Sequence, residues 1–457
     1  MRNTKPTIAI LCLSAIGWPL VALGDAEKHW SGLGLDCGVG NAYWSNGNNW
    51  LGGSAPTSGP VVISAGVYCG SGCSACGCAM ICYEECEERC AGGPNNGQAC
   101  TTMEDCDCCD GGSLVATYDY PDAATNHTFS GIEVYASSSN DMTLQKQGGN
   151  HFDVTTLLYL GGNATKKVIL DVEAENFSPT DVTACGKADI DVAGSITFTV
   201  DDDLVTGCST TETTLTLKGS GYVDIGSSGA TRVDATANTV KSTLVLDGSV
   251  QLQPRSLEIF GGSGSSYEAK FYHQSTTASI VATTLDVLLM RGRSKIDVDK
   301  NVAYVVDTDI LVDTSGNNTD AHIEMYYSGG SSQSITAEDL EITAGASHTA
   351  TLTMDRGALV LTGTATIGFA GAAQTAKLAI DTNGAVPTIA NLTLKDRGVL
   401  QLQDTTTITQ KLTVDGDNAG VAFDQASKTL NANVIVFNKG ATFTPALSSG
   451  NSKLATN

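Results

Sequence analysis

Residues 392–402 read LTLKDRGVLQL, and residues 352–361 read LTMDRGALVL. Each alternates apolar and polar positions, passes through Asp-Arg-Gly, and alternates again. Alternation at period two gives a strand one buried face. Asp-Arg-Gly supplies turn chemistry, because the carboxylate caps the bend and glycine accepts a positive φ. Both segments run on to an isoleucine six residues past the last leucine, Ile367 and Ile408, and the turn glycines Gly357 and Gly398 lie 41 residues apart. A unit this short cannot bury its own apolar face, so copies of it must stack on one another.

Working outward, the same grammar runs from Phe129 to about Pro445. One strand recurs at residues 157–160, 196–198, 257–259, 285–287, 340–342, 392–394 and 434–436. Several copies follow an apolar-x-Ala pair, as at Ile280 and Ala282, Ile335 and Ala337, and Leu430 and Ala432. A second strand recurs at 168–170, 215–217, 244–246, 323–325, 352–354 and 378–380, often closed by Asp (Asp171, Asp247, Asp355, Asp381). No window keeps a 3.6-residue apolar period. The unit is shorter than a β-sandwich of about 100 residues, and no linker-like breaks separate the copies. The expected fold is therefore all-β: a parallel β-helix with coils of about 20–25 residues.

Composition agrees. Aromatic residues make up 6%, charged residues 16% and apolar residues 41%, with 50 glycines. That mix suits short strands and turns and is too apolar for disorder. The net charge of −24 falls to −26 once Arg2 and Lys5 are removed with an amino-terminal signal. Such a surface repels nucleic acid and anionic membranes.

Residues 1–24 have the form of a secretory signal. Arg2 and Lys5 precede an apolar run, and Ala22-Leu23-Gly24 offers a small-x-small cleavage site. Pro19 and the lack of charge beyond the run argue against a membrane anchor, so no membrane span is expected in the mature chain. Fourteen cysteines remain after Cys12: Cys37, Cys69, Cys73, Cys76, Cys78, Cys82, Cys86, Cys90, Cys100, Cys106, Cys108, Cys109, Cys185 and Cys208. An even, dense set in an exported chain points to disulfides. Cys185 and Cys208, 23 residues apart, fit adjacent coils and are expected to pair.

Residues 69–112 form a cysteine-rich insertion in a turn of the first coil. Cys78, Cys82, Cys86 and Cys90 recur every four residues, a spacing that lines one face of a short helix. A thiolate metal site using Cys73 and Cys76 with Cys106, Cys108 and Cys109 is the alternative to disulfides there.

Residues 25–68 precede this insertion. Here Trp44, Asn49, Trp50, Gly53 and Pro56 stand before the apolar strand at residues 61–63. This W-x-x-x-x-N-W-x-x-G-x-x-P pattern resembles the entry segment of secreted bacterial β-helix proteins, including autotransporter and adhesin passenger regions. The match covers about 25 residues plus a diffuse likeness of the repeats. An acidic residue such segments often carry before the strand is replaced by Gly59-Pro60. The resemblance implies an amino-terminal aromatic cap on a β-solenoid in a bacterial secreted or cell-surface setting; the repeats themselves place that solenoid at 113–446 and leave a polar tail at 447–457.

Chemistry is sparse. Asp355-Arg356, Asp396-Arg397, Arg291 and Arg293 could grip a polysaccharide, but Asp-Arg-Gly also simply makes corners. Asp201, Asp202, Asp203, Asp297 and Asp299 could bind calcium weakly, yet Val302 and Thr308 rule out an EF-hand at the second cluster. No cofactor and no catalytic residue is indicated. The functional expectation is a secreted, non-enzymatic structural, adhesive or fibre-forming solenoid. Its expected partners are itself, by head-to-tail stacking, or an extracellular polysaccharide. A polysaccharide-cleaving enzyme and a cysteine-rich recognition module on a solenoid stalk are the alternatives.

Overall fold

The computed structural model describes residues 28–29, 41–45, 50, 54–64, 80–82, 88–90, 113–120, 126–136, 140–208, 211–236, 240–262, 267–275, 281–298, 302–314, 317–325, 334–381, 387–403, 405–423, 428–438, 441, 446–447 and 453–456. Among these there is no helix. Strands stack in parallel into a 17-stranded and a 15-stranded sheet, with a short third sheet of three strands. The chain is a parallel β-solenoid.

Each coil contributes one strand to the 15-stranded sheet, such as Ala350–Asp355, and then a longer one to the 17-stranded sheet, such as Ala358–Ile367. The longer strands bend, with register shifts between Ala337 and Leu340, between Leu361 and Thr364, and between Ile408 and Lys411. The apolar-x-Ala pairs and the Leu-x-Ile strands are therefore the two limbs of one bent strand, and each coil has three walls. Inward residues form columns that run the length of the rod. One passes through Ile132, Leu158, Val182 and Leu204, and further along through Ile310, Leu340, Ala365, Leu392 and Leu412. All of these are at most 1% exposed, so the apolar alternation in sequence becomes one continuous dry core.

The coils are less regular than their sequence suggests. Val168 meets Ala188 only 20 residues on, while Ala321 meets Leu352 after 31. The two Asp-Arg-Gly segments are not equivalent corners either. Residues 352–361 pass from the 15-stranded to the 17-stranded sheet, whereas Thr388–Leu394 and Gly398–Leu402 pass the other way. Three strand assignments also shift. Phe198 belongs to the third wall at Thr197–Val200, which Ile196 immediately precedes, and that coil's second limb is Leu204–Thr206. Residues 285–287 straddle a junction between Val281–Leu285 and Val287–Arg291. At the last repeat Ile435, not Val434, pairs with Leu412, leaving Val434 50% exposed.

The amino-terminal cap is an aromatic plug. Trp44 and Trp50 are buried, their rings 4.7 Å apart, and Trp44 also meets Tyr118, Phe129 and Phe152 edge-on. Trp44 Nε1 donates to the Pro56 carbonyl at 3.1 Å, and Trp50 Nε1 to the Trp44 carbonyl at 2.9 Å. Ring contacts continue along the third wall, with Phe152 stacked on Phe177 and Phe177 tilted against Phe198. Asn49 and Gly53 lie outside the described residues.

Within the cysteine-rich insertion, Met80–Cys82 pairs antiparallel with Glu88–Cys90. Cys82 and Cys90 therefore lie on paired antiparallel strands where a helix was expected. The other ten cysteines of the amino-terminal set, Cys37, Cys69, Cys73, Cys76, Cys78, Cys86, Cys100, Cys106, Cys108 and Cys109, lie outside the described residues, as does the 1–24 segment. Cys185 and Cys208 are joined by a disulfide across adjacent coils, with Cα atoms 5.4 Å apart.

Candidate functional site

The Asp-Arg-Gly corners were the first candidates, and their charged groups are structurally engaged. Asp396 accepts backbone hydrogen bonds from Gly371 at 2.6 Å and Asp417 at 2.5 Å, which hold its carboxyl below the usual carboxylate range. Arg397 turns the corner in the left-handed conformation, as Arg356 does. Arg291 forms a two-pronged pair with Asp313 and lies over the Phe260 ring. Arg293 Nε is buried without a hydrogen-bond partner. Asp396 and Arg291 thus stitch neighbouring coils together.

The calcium candidates are likewise divided among structural roles. Asp203 accepts from the Ala230 amide at 2.8 Å, and Asp202 from the Ser228 hydroxyl at 3.4 Å. Asp297 is bridged by Lys270 at 2.7 Å and by Lys295 at 3.7 Å. Asp299 lies outside the described residues. The outer face of the 15-stranded sheet carries this charge as ladders. Lys167, Asp189, Lys218 and Asp191 make one, and Lys270, Asp297, Lys295 and Glu324 another.

One coil does stand apart. The third wall is built by limbs of the 17-stranded sheet at both ends, but between them by the separate sheet of Thr197–Val200, Tyr222–Ile225 and Gln251–Gln253. Its start is continuous with the preceding coil, since Asp201 and Asp202 donate to the carbonyls of Pro179 and Thr180. Its end is not. Among the described residues no strand pairing joins Gln251–Gln253 to the next wall segment, Val281–Leu285. Pro254, which has no amide hydrogen, closes the short strand and helps end the ladder.

A concavity of about 280 Å³ opens at this break. Asp224, Asp286, Asp307, Arg255, Gln251 and Gln253 supply its polar lining, and Val250, Leu252 and Pro254 an apolar floor. His273 reaches it from the core, its Nδ1 2.6 Å from the hydroxyl of the buried Tyr304. Burial pushes His273 down to about 4, so its ring is neutral near pH 7. Three carboxylates beside one guanidinium give the groove net negative character. Its chemistry is hydrogen bonding to a polar, uncharged or cationic ligand.

Sequence reasoning passed over these residues because none forms a motif. The available signal was negative: QLQPR at 251–255 has a single apolar position where other wall segments have two. No family model, no curated protein and no solved structure matches the chain.

Proposed function

We propose that this chain is a secreted, non-enzymatic β-solenoid that serves as an extracellular structural or adhesive rod, in a bacterial setting. The observation that supports it most is the engagement of the corner charges. Asp396, Arg291 and Asp313 are committed to coil-to-coil contacts. The secretory pattern of residues 1–24, the even cysteine set and the likeness of the Trp44–Trp50 segment to adhesin passengers point the same way. Self-association by stacking of strand edges is the partnership this reading expects.

Expression with the native amino terminus, followed by sequencing of the exported product, tests the first half: the mature chain should begin at Asp25. Sedimentation and electron microscopy of that product test the second. Assembly into rods that lengthen with concentration supports it, and a strict monomer with no affinity for cell surfaces counts against it.

The groove favours a second reading, in which the rod also binds an extracellular polysaccharide through Asp286, Asp307, Arg255 and the two glutamines. Its net negative lining suits neutral or amino-bearing sugars better than uronates. Retention of the protein on insoluble polysaccharides of each class separates the two readings, and release of reducing ends would move the chain to the enzymes.

A further inference from the structure

On the outer face of the 15-stranded sheet, Asp297, Glu324, Asp355 and Asp381 stand in register on four successive strands. Parallel strands lie about 4.8 Å apart, so this is a column of like charges at close spacing and needs cations beside it. The neighbouring column supplies them in order: Lys270, Lys295, then His322, then Thr353. Lys270 and Lys295 bridge Asp297, and Lys295 reaches Glu324 at 2.8 Å. At the next rung the lysine is replaced by an imidazole. His322 Nε2 is buried, makes no hydrogen bond, and lies 3.8 Å from Asp355 Oδ2.

We infer that His322, Glu324 and Asp355 form a binding site for zinc or a similar divalent transition ion. Donor atoms of the three all lie within 4.8 Å of one another, the one such group among the described residues. His322 and Glu324 are two apart on Thr319–Met325 and so share a face, and Asp355 faces Glu324 across the ladder. One nitrogen and two carboxylates suit zinc, copper or nickel, whereas calcium and magnesium take oxygen shells. Bonds of about 2.0–2.1 Å around a tetrahedral ion need donors about 3.3–3.4 Å apart, so the His322–Asp355 edge closes by about half an ångström and the edges to Glu324 by up to about 1.5 Å. The three side chains are 27–36% exposed, which leaves the fourth position to water. Lys295 is the competitor, since it occupies one oxygen of Glu324.

The test is calorimetric titration of the exported, oxidised chain with zinc chloride at neutral pH and physiological ionic strength, with circular dichroism to confirm the fold of each variant. Zinc taken up equally by wild type and His322→Gln belongs to other groups and is subtracted. The expected result is one His322-dependent equivalent, weakened at least about tenfold by Asp355→Asn and not displaced by excess calcium. Lys295→Gln should tighten it several-fold by freeing Glu324, an effect that no loss of folding can mimic. Coincident titrations for wild type and His322→Gln overturn the inference, and so does full displacement by calcium.

Discussion

Arg356 and Arg397 hold the same left-handed backbone conformation, at φ 62° and 55°, on opposite corners of the coil. One leads out of the 15-stranded sheet and the other leads into it. An L-residue there costs about 1–2 kcal/mol; at the first corner Gly357 follows at φ 70°, whereas at the second Arg397 alone carries the left-handed turn.

Arg397→Gly should therefore raise the melting temperature, by the strain relieved less the roughly 0.5–1 kcal/mol of extra chain entropy glycine brings. Arg397→Ala keeps the strain and should show no gain. If Arg397 gripped a ligand, both variants would lose binding together. Thermal melts read the stability outcome directly.

The neighbouring glycine is constrained by space and not by φ. A Cβ on Gly398 would lie 2.1 Å from the Ile367 carbonyl oxygen, a backbone atom that cannot swing away. Gly398→Ala should cost at least about 2 kcal/mol, on the scale of an overpacked core. Gly149, with nothing within 4 Å of its Cβ position, should accept alanine with little change. Denaturant midpoints of the two variants make the comparison.

Much of this was legible in the sequence, and what was not has identifiable causes. Alternation specifies which side of a strand is buried but not which wall it joins, so the two Asp-Arg-Gly segments looked like copies of one corner. A turn of that kind serves either corner equally. At Val434-Ile435-Val436 all three positions are apolar, so alternation cannot select the register, and the ladder places Ile435 inward. The His322–Glu324–Asp355 group was invisible because its members are joined by the 31-residue advance of one unusually long coil. The Cys185–Cys208 pair, by contrast, is separated by nearly one coil length, which is why spacing alone located it.

That disulfide closes a loop of 23 residues, worth about 3 kcal/mol by chain entropy. The paired Cys185→Ser and Cys208→Ser change should lower the melting temperature of the rod and speed amide exchange in Phe177–Cys185 and Leu204–Thr206. Exchange near Ala376–Asp381 should be unaffected, because a solenoid transmits stability mainly to adjacent coils. Hydrogen exchange read by mass spectrometry resolves the two regions.

Asp396 gives a pH signature. Its folded-state carboxyl lies below its unfolded value, so it stabilises the fold above the ordinary carboxylate range. That contribution disappears as pH falls through the depressed folded value. Asp396→Ala should be less stable than wild type at neutral pH, and the two should converge in strong acid. Urea midpoints across the acid range would show it.

Lys146 runs the opposite way. It is fully buried beneath the cap, 5.4 Å from the Tyr118 ring centre, donating to the Gly148 carbonyl, and burial pushes it down to about 8. Below that pH the charged ammonium is carried in the core at a cost of roughly 3 kcal/mol. Between about 8 and 10.5 the folded chain gives up the proton while the unfolded chain keeps it, so wild-type stability rises with pH across that window. Lys146→Met fills similar volume without charge. It should be the more stable protein at neutral pH, by less than that cost because it forfeits the Gly148 hydrogen bond and the Tyr118 contact. Its advantage should shrink as pH climbs from 8 towards 10.5. A pH series of thermal melts on the two proteins checks both sign and window, and a constant difference across that range would mean the ammonium is not the cause.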